Sequence, residues 1–356
     1  MTTDPETETK LKRACAISLF SYIYGEPYNL FRLSKSNLLQ FTRYVVSLDF
    51  KTSIGQQMRK ILAASENNQI QFLMDDYNTS LFKFITNDEY FNDLYLEYNI
   101  QNKLGGECYI FRHRNTNEII VSFRGSDTPL DLWIDITVET VPLALDDIAI
   151  SPDVRVHCGF IRQLTNYDFH IQLTKIVETF ISKSEQPINI QIVGHSLGSA
   201  LGSLFAFYLH RNLISDKMNI EVYTNGAPPV GNSAWMREFN NVFVNNGRRN
   251  HFRLINENDI VPNLHTFFYK VIDTIPFIRQ YAEKTPPPLD IKRFISRFLN
   301  QSVLDYKHTG IDTYIIVDSI LKRVDNATHT FAEPTIYDLL NVANTHMIDY
   351  QRWISV

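Results

Sequence analysis

A serine lies at the centre of a short glycine-bounded motif, Gly194-His195-Ser196-Leu197-Gly198. A serine hydroxyl is a weak nucleophile unless a base takes its proton and donors stabilise the oxyanion that its attack creates. The flanking residues predict a strand over 188–193 and a helix over 197–212, so Ser196 stands on a strand-to-helix turn. Such a turn makes the side chain protrude and aims the Leu197 amide, at the positive end of the helix dipole, at the reacting oxygen.

The neighbours of this serine have predicted structural roles. Gly194 and Gly198 let the strand and helix backbones approach closely. His195 is adjacent to Ser196, and adjacent side chains on such a turn diverge, so we expect a structural role for it. The alternative interpretation of the motif is a glycine-rich structural turn whose serine has no catalytic role.

The elements that must position this turn alternate along the chain. Runs rich in β-branched and aromatic residues predict strands at 108–112, 118–124, 188–193, 220–224, 251–255 and 313–317. Helices are predicted at 160–182, 197–212 and 233–241, and from Pro334 onward. This alternation predicts an α/β protein with a mostly parallel central sheet flanked by helices.

Several segments, in chain order, resemble motifs of the class 3 lipases, the fungal-lipase-like branch of the α/β-hydrolase fold. They are Phe123-Arg-Gly-Ser126 with Trp133 and Asp135, Val156-His-Cys-Gly-Phe160, the pentapeptide at Ser196, Tyr223-Thr-Asn-Gly-Ala-Pro-Pro-Val-Gly-Asn232, and Asn258-Asp-Ile-Val-Pro262. The resemblance spans roughly residues 105–350. It implies an α/β-hydrolase fold with a catalytic triad in the order Ser, Asp, His.

The resemblance suggests a division of the chain. We expect a helical N-terminal region over 1–104 packed on the core, and an α/β-hydrolase catalytic domain over 105–356. Residues 263–306 fit no strand–helix unit and are rich in aromatic residues, so they are interpreted as an insertion.

Asp259 is the predicted acid of the triad. It follows the predicted 251–255 strand and precedes Val261-Pro262, where the chain must turn. A carboxylate there can hold an imidazole in one tautomer and offset the imidazolium charge. The alternative is an ordinary turn-capping aspartate.

The predicted base is His346, with His308 the second choice and His329 the third. His308 precedes the 313–317 strand rather than following it. The family places its catalytic histidine near the chain end, shortly before a tyrosine, which resembles His346 and Tyr350. It also has a non-catalytic histidine where His308 stands.

The resemblance implies further parts of the site. Ser126 resembles the second oxyanion-hole residue of the family and would act with Leu197. Where the family has a lid, this chain has residues 126–142, a segment that carries both apolar and acidic side chains. A mobile cover over an acyl pocket and a fixed packed helix are both open interpretations.

Composition excludes several classes of protein. The 356 residues carry 34 basic and 39 acidic side chains, a net charge of −5, which gives no basic excess for nucleic-acid binding. Three scattered cysteines do not suggest a disulfide framework or a zinc site. No apolar run of membrane-spanning length and no secretory signal pattern stands out, so an intracellular location is expected.

The function predicted from these residues is a serine ester hydrolase, a lipase that cleaves acylglycerol or phospholipid esters through an acyl-enzyme on Ser196. It needs neither a metal nor an organic cofactor. The partners would be lipid or other acyl-ester substrates, with peripheral contact to a membrane or lipid droplet left open and the oligomeric state undetermined. The alternatives are a catalytically silent hydrolase-fold scaffold for binding or signalling, and a thioesterase or transacylase.

Overall fold

A large mixed sheet forms the centre of the molecule. Its strands, in chain order, are β1 (Leu94–Gln101), β2 (Glu107–His113), β3 (Glu118–Phe123), β6 (Ile188–His195), β7 (Met218–Asn225), β9 (His251–Asn256), β11 (Asp312–Val317) and β12 (Ile320–Asp325). A smaller sheet contains β4 (Thr140–Pro142), β5 (Arg155–His157), β8 (Gly231–Asn232) and β10 (Tyr306–Lys307).

The helices are α1 (Pro5–Tyr24), α2 (Ile54–Glu66), α3 (Asp76–Asn87), α4 (Cys158–Thr165), α5 (Phe169–Lys183), α6 (Leu197–Asn212), α7 (Ser233–Phe243) and α8 (Asp349–Ile354). This computed structural model describes residues 3–24, 51–66, 76–126, 140–145, 150–213, 217–245, 250–263, 306–310, 312–317, 319–325, 346–347, 349–354 and 356.

The centre of the large sheet is parallel, as the sequence predicts. The strands lie in the order β1-β2-β3-β6-β7-β9-β11-β12. Parallel pairing joins β3 to β6, β6 to β7, β7 to β9 and β9 to β11, while both edges are antiparallel. The carboxyl ends of the parallel strands therefore meet at one edge, where loops bring residues distant in sequence together.

The sheet is buried on both faces. Alternate residues of β6 point to opposite sides: Ile190 and Ile192 belong to a core that α4 to α7 cover, whereas Val193 belongs to a second core. The second core is closed by α1, α2, α3 and α8. Helix α6 is buried on all sides from residue 197 to residue 209, which explains why its sequence is apolar all round.

Strand β1 and the helix expected over 160–182 differ from the sequence expectation. Strand β1 lies inside the region expected to be helical; it is a half-exposed edge strand with an irregularity between Leu96 and Tyr98, which blurs the alternation of apolar residues. The helix expected over 160–182 is two helices, because Tyr167 and Asp168 both adopt left-handed backbone angles with φ of 55°. The division of the chain at residue 104 stays a prediction.

The predicted final strand is not the last one. Strand β11 covers the expected 313–317, but β12 follows it and forms the sheet edge. Most of the predicted insertion, 264–305, lies outside the described residues, as do His329 and the start of the helix expected at Pro334. Across the part of the chain that the structure describes, none of the helices has both the length and the hydropathy to cross a bilayer.

An ion pair connects helix α1 to the residue that precedes the 3₁₀ turn before β1. Arg13 Nε and Nη2 donate to the two carboxylate oxygens of Asp88, at 2.7 and 2.8 Å. Asp88 also accepts from the Tyr90 amide and so caps the short 3₁₀ turn that leads into β1. The Arg13 guanidinium lies 4.6 Å from the centre of the Tyr90 ring. This cluster holds α1 against the sheet.

We predict that Asp88→Ala lowers the free energy of unfolding by about 1–2 kcal/mol, because a bidentate charged pair and a cap are lost together. Urea unfolding measures this change. Lys10→Ala is the matched control, since its pair with Glu6 is more exposed and such pairs contribute about 0–1 kcal/mol. Equal losses in the two variants would contradict the role of Asp88.

Candidate active site

Ser196 sits on a strained turn between β6 and α6. Its φ is 58° and its ψ −130°, a backbone conformation that non-glycine residues rarely adopt. The Ser196 amide donates to the Asn225 carbonyl at the end of β7, at 2.9 Å. Ser196 stands at the N-cap position but does not cap α6 with its side chain, so the hydroxyl is not used to satisfy the amides of the first helical turn.

Close backbone contacts explain the glycines around Ser196. A Cβ at Gly194 would overlap the Gly198 carbonyl group, and a Cβ at Gly198 would overlap the carbonyl oxygen of Phe123. The start of α6 therefore lies directly against the end of β3. Glycine is required at both positions because the strand and the helix meet backbone to backbone.

The segment that follows β3 runs beside Ser196. A Cβ at Gly125 would lie 3.1 Å from the Ser196 Cβ and 2.6 Å from the His195 carbonyl oxygen. Arg124 anchors this segment, because its side chain pairs with the buried Glu107 at 2.7 Å and its amide donates to the Glu107 carbonyl at 3.0 Å. Ser126 is the next residue along this segment.

Asp259 and His346 form a buried hydrogen-bonded pair. Nδ1 of His346 donates to Oδ2 of Asp259 at 2.8 Å, and both side chains are almost fully buried. Because the carboxylate accepts from Nδ1, Nε2 is the nitrogen that is left to accept a proton. Among the residues that the structure describes, no group hydrogen-bonds to Nε2 of His346.

Further donors hold the Asp259 carboxylate. Oδ1 accepts from the Val261 amide at 3.0 Å, and Oδ2 accepts from the Tyr350 hydroxyl, also at 3.0 Å. The same Tyr350 oxygen accepts from the Asn256 amide at 2.9 Å. Burial and the neighbouring carboxylate raise the pKa of Tyr350 well above its usual value, so the phenol remains a donor.

Gly226 joins the serine turn to this pair. It follows β7 directly after Asn225, which accepts the Ser196 amide hydrogen, and its φ is +57°. A Cβ at Gly226 would lie 2.9 Å from Oδ2 of Asp259 and 3.0 Å from Cε1 of His346. Two consecutive residues thus link the site: Asn225 binds the serine turn, and Gly226 contacts the Asp259 carboxylate and the His346 imidazole.

The other histidines considered from the sequence have different surroundings. His308 is half-buried, and its Nε2 lies 2.6 Å from the Pro262 carbonyl oxygen, whereas Asp259 is paired with His346. His329 lies outside the described residues, and so do residues 127–139 of the expected lid; residues 140–142 of that segment form β4.

Sequence reasoning missed three contributors to the site. The hydrogen bond from Tyr350 to Asp259 had a signal in the position of Tyr350, one helical turn after His346. Gly226 could be noticed only as part of a glycine- and proline-rich loop. The pairing of Glu107 with Arg124 joins the start of β2 to the segment after β3, and nothing in the local sequence indicates it.

The arrangement suits nucleophilic catalysis. A serine on a strained turn, an imidazole whose Nε2 has no partner among the described residues and a carboxylate on Nδ1 are the parts that activate a hydroxyl for acyl transfer. Among the described residues, no group of three or more His, Cys, Asp or Glu side chains is arranged to hold a metal ion.

Comparison with known proteins confirms the fold and the resemblance to class 3 lipases. Residues 120–269 match the family model described as lipase (class 3). Lip2 lipase from Yarrowia lipolytica aligns over 98% of this chain and 95% of its own, at 16% identity and a TM-score of 0.58. Triacylglyceride lipase from Rhizomucor miehei aligns over 98% of each chain, at 16% identity and a TM-score of 0.54.

Curated relatives match a shorter region. Phospholipase A1 EG1 of Oryza sativa subsp. indica is 28% identical over 137 residues, 35% of this chain and 32% of its own length. Galactolipase DONGLE of Arabidopsis thaliana is 25% identical over 167 residues, 43% of this chain and 34% of its own. The chain spans about a third of the length of the curated relatives it matches.

We predict that Gly226→Ala slows covalent labelling of Ser196 by a fluorophosphonate about 10-fold or more, because the added methyl displaces the pair of Asp259 and His346. Labelling followed by mass spectrometry measures the rate. Gly105→Ala is the matched control: its φ is +83°, and a Cβ there meets only Gln163, at 3.6 Å. It should lose about 1 kcal/mol of stability without slower labelling. Equal rates in the two variants would contradict the role of Gly226.

Proposed function

We propose that this chain, whose central part matches the class 3 lipases, is a serine ester hydrolase that cleaves acyl esters of lipids through a covalent acyl-enzyme. The observation that carries the proposal is the buried hydrogen bond between Asp259 and His346, whose Nε2 has no hydrogen-bond partner among the described residues, together with the strained turn that presents Ser196. Ser196 is the proposed nucleophile, His346 the general base and Asp259 the residue that orients it.

In the first half of the reaction, Oγ of Ser196 attacks the ester carbonyl carbon while Nε2 of His346 takes the hydroxyl proton. The carbonyl oxygen becomes an oxyanion, and the Leu197 and Ser126 amides are its proposed donors. Each such donor contributes about 3 kcal/mol in the transition state. The Asp259 carboxylate offsets the imidazolium charge.

The tetrahedral intermediate then collapses. The bond between the carbonyl carbon and the alcohol oxygen breaks, and His346 gives its proton to that oxygen, so a neutral alcohol leaves and the acyl group stays on Ser196. In the second half, His346 takes a proton from water, the resulting hydroxide attacks the acyl carbon, and the proton returns to Ser196 Oγ as the fatty acid is released.

The proposed substrates are membrane and storage lipids. The relatives are named phospholipase A1, galactolipase and triacylglyceride lipase, which supports acyl esters on a glycerol scaffold as the class. We also propose that the protein is intracellular and that it binds lipid surfaces peripherally. Its three cysteines are buried and free, as is usual for proteins in a reducing compartment. Fractionation of cells that express the protein tests the proposed location.

We predict that Ser196→Ala lowers hydrolysis of p-nitrophenyl esters about 10⁶-fold and abolishes fluorophosphonate labelling, because the triad acts as a unit. Ser203→Ala is the matched control, a buried serine of α6 whose hydroxyl donates to the Ser199 carbonyl at 2.8 Å. It should keep its activity. Equal labelling of wild type and Ser196→Ala would contradict the assignment and favour a silent scaffold or another nucleophile.

The substrate class has its own test. We expect fatty acid release from phosphatidylcholine, galactolipid or triacylglycerol dispersions in a chain-length series, with faster turnover once the substrate forms vesicles or droplets. Fatty acid titration at fixed enzyme concentration measures this. Cleavage of acyl thioesters with no cleavage of any lipid ester would instead identify a thioesterase.

A further inference from the structure

Helix α1 reaches the proposed active site through the side chain of Tyr22. The Tyr22 hydroxyl lies 3.0 Å from Nδ1 of His195, and Nε2 of His195 lies 2.7 Å from the backbone carbonyl oxygen of His346. Tyr22 and His195 are fully buried. A continuous path of hydrogen bonds therefore joins the N-terminal helix to the backbone of the proposed base.

The direction of these hydrogen bonds follows from their end groups. A carbonyl oxygen only accepts, so Nε2 of His195 must carry the hydrogen. In a neutral ring Nδ1 is then an acceptor, and the Tyr22 hydroxyl is the donor. Burial lowers the pKa of His195 well below its usual value and raises the pKa of Tyr22, so the ring stays neutral and the phenol stays protonated.

The His195 ring also packs directly against the base. Its centre lies 4.5 Å from the centre of the His346 ring and 5.5 Å from that of Tyr350. During catalysis His346 becomes an imidazolium, and a second charged imidazole at this distance would repel it. A neutral His195 with one defined tautomer supports the base without opposing its charge.

Tyr22 contacts the oxyanion side of the site as well. A Cβ at Gly125 would overlap the Tyr22 hydroxyl oxygen, so this oxygen lies against the residue before Ser126. Helix α1 makes a second contact through Ser18, whose Oγ accepts from Nδ2 of Asn225 at 3.0 Å. Asn225 in turn accepts the Ser196 amide hydrogen, so α1 supports the turn, the base and the oxyanion segment together.

We propose that Tyr22 and His195 are positioning residues for His346, with the Tyr22 hydroxyl donating to Nδ1 and so stabilising the Nε2–H tautomer of His195 that holds the His346 backbone in place. The inference rests on the proposed function, since it assigns the parts that align the base. It makes α1 a component of the active site rather than a covering helix. A misplacement of about 1 Å in a catalytic group can cost about 100-fold in rate, which sets the scale of the effect.

The first test compares two tyrosines that each lose only a hydroxyl. Tyr22→Phe should lower kcat about 10-fold or more while KM changes less than about twofold, because the base acts in the transition state. Tyr223→Phe is the control: Tyr223 is as buried as Tyr22, but its hydroxyl donates to Glu221 at 2.9 Å. It should keep kcat, and thermal unfolding shows whether both variants are folded.

The second test is a double-mutant cycle with His195→Gln. A glutamine amide reaches about as far as Nε2 and donates without any tautomer to select, so this variant should retain more activity than His195→Leu. In the His195→Gln background, Tyr22→Phe should lower kcat by less than about a further twofold, because the two residues act through one path. If the fold losses in kcat of the two single variants multiply in the double variant, the proposal is overturned.

The third test determines the His195 tautomer directly, and its decisive sample is the wild-type protein. Nitrogen-15 NMR of the histidine-labelled wild-type protein should show His195 as the neutral Nε2–H tautomer, and Tyr22→Phe should show a mixture of tautomers. A wild-type ring protonated on Nδ1 would overturn the proposal even where the variants fail to fold. An inactive wild type would contradict the proposed function, whereas an active wild type with equal kcat in Tyr22→Phe and Tyr223→Phe would contradict this inference alone.

Discussion

The close approach of the Ser196 turn to its neighbouring strands is the constraint on which the site depends. The turn has glycine on both sides, and Gly198 meets the Phe123 carbonyl while the Ser196 amide donates to the Asn225 carbonyl. The end of β3 therefore lies on one side of Ser196 and the end of β7 on the other. The parallel pairing of β3, β6 and β7 creates this arrangement, because parallel strands bring their carboxyl ends to one edge. A larger residue at Gly198 would separate the proposed oxyanion segment from the serine.

Burial and hydrogen bonding control the electrostatics of the site. A buried carboxylate is costly unless it is satisfied, and Asp259 accepts from His346, Tyr350 and the Val261 amide. These three donors surround the carboxylate where an imidazolium would form. The residues that hold the pair come from distant parts of the chain, since Tyr350 lies on the C-terminal helix and His195 belongs to the serine turn. The hydrogen bond between His346 and Asp259 both gives the buried carboxylate a donor and orients the imidazole.

Local patterns made the central units predictable. The turn at Ser196 is encoded by adjacent residues, and helix α6 has the bounds that were expected, 197–212. The parallel sheet followed from the alternation of strands and helices. Elements that depend on tertiary contacts were harder to predict from the sequence. Edge strand β1 has too many polar residues for a clear alternation, and the helix break at Tyr167 requires two left-handed residues, neither of which is glycine.

His346 was selected by chain order and resemblance, because a histidine has no local pattern that distinguishes a catalytic base from a structural residue. The path from Tyr22 to His346 joins residues far apart in sequence and could be found only from coordinates.

The most direct measurement is a crystal structure of the protein after reaction with a phosphonate ester. We expect a phosphorus atom bonded to Oγ of Ser196, with Nε2 of His346 within about 3 Å of that Oγ. The phosphonyl oxygen should accept from the Leu197 and Ser126 amides. An imidazole of His308 or His329 in place of His346 would contradict the assignment of the base. A phosphonylated residue other than Ser196, or no histidine beside it, would contradict the catalytic account as a whole.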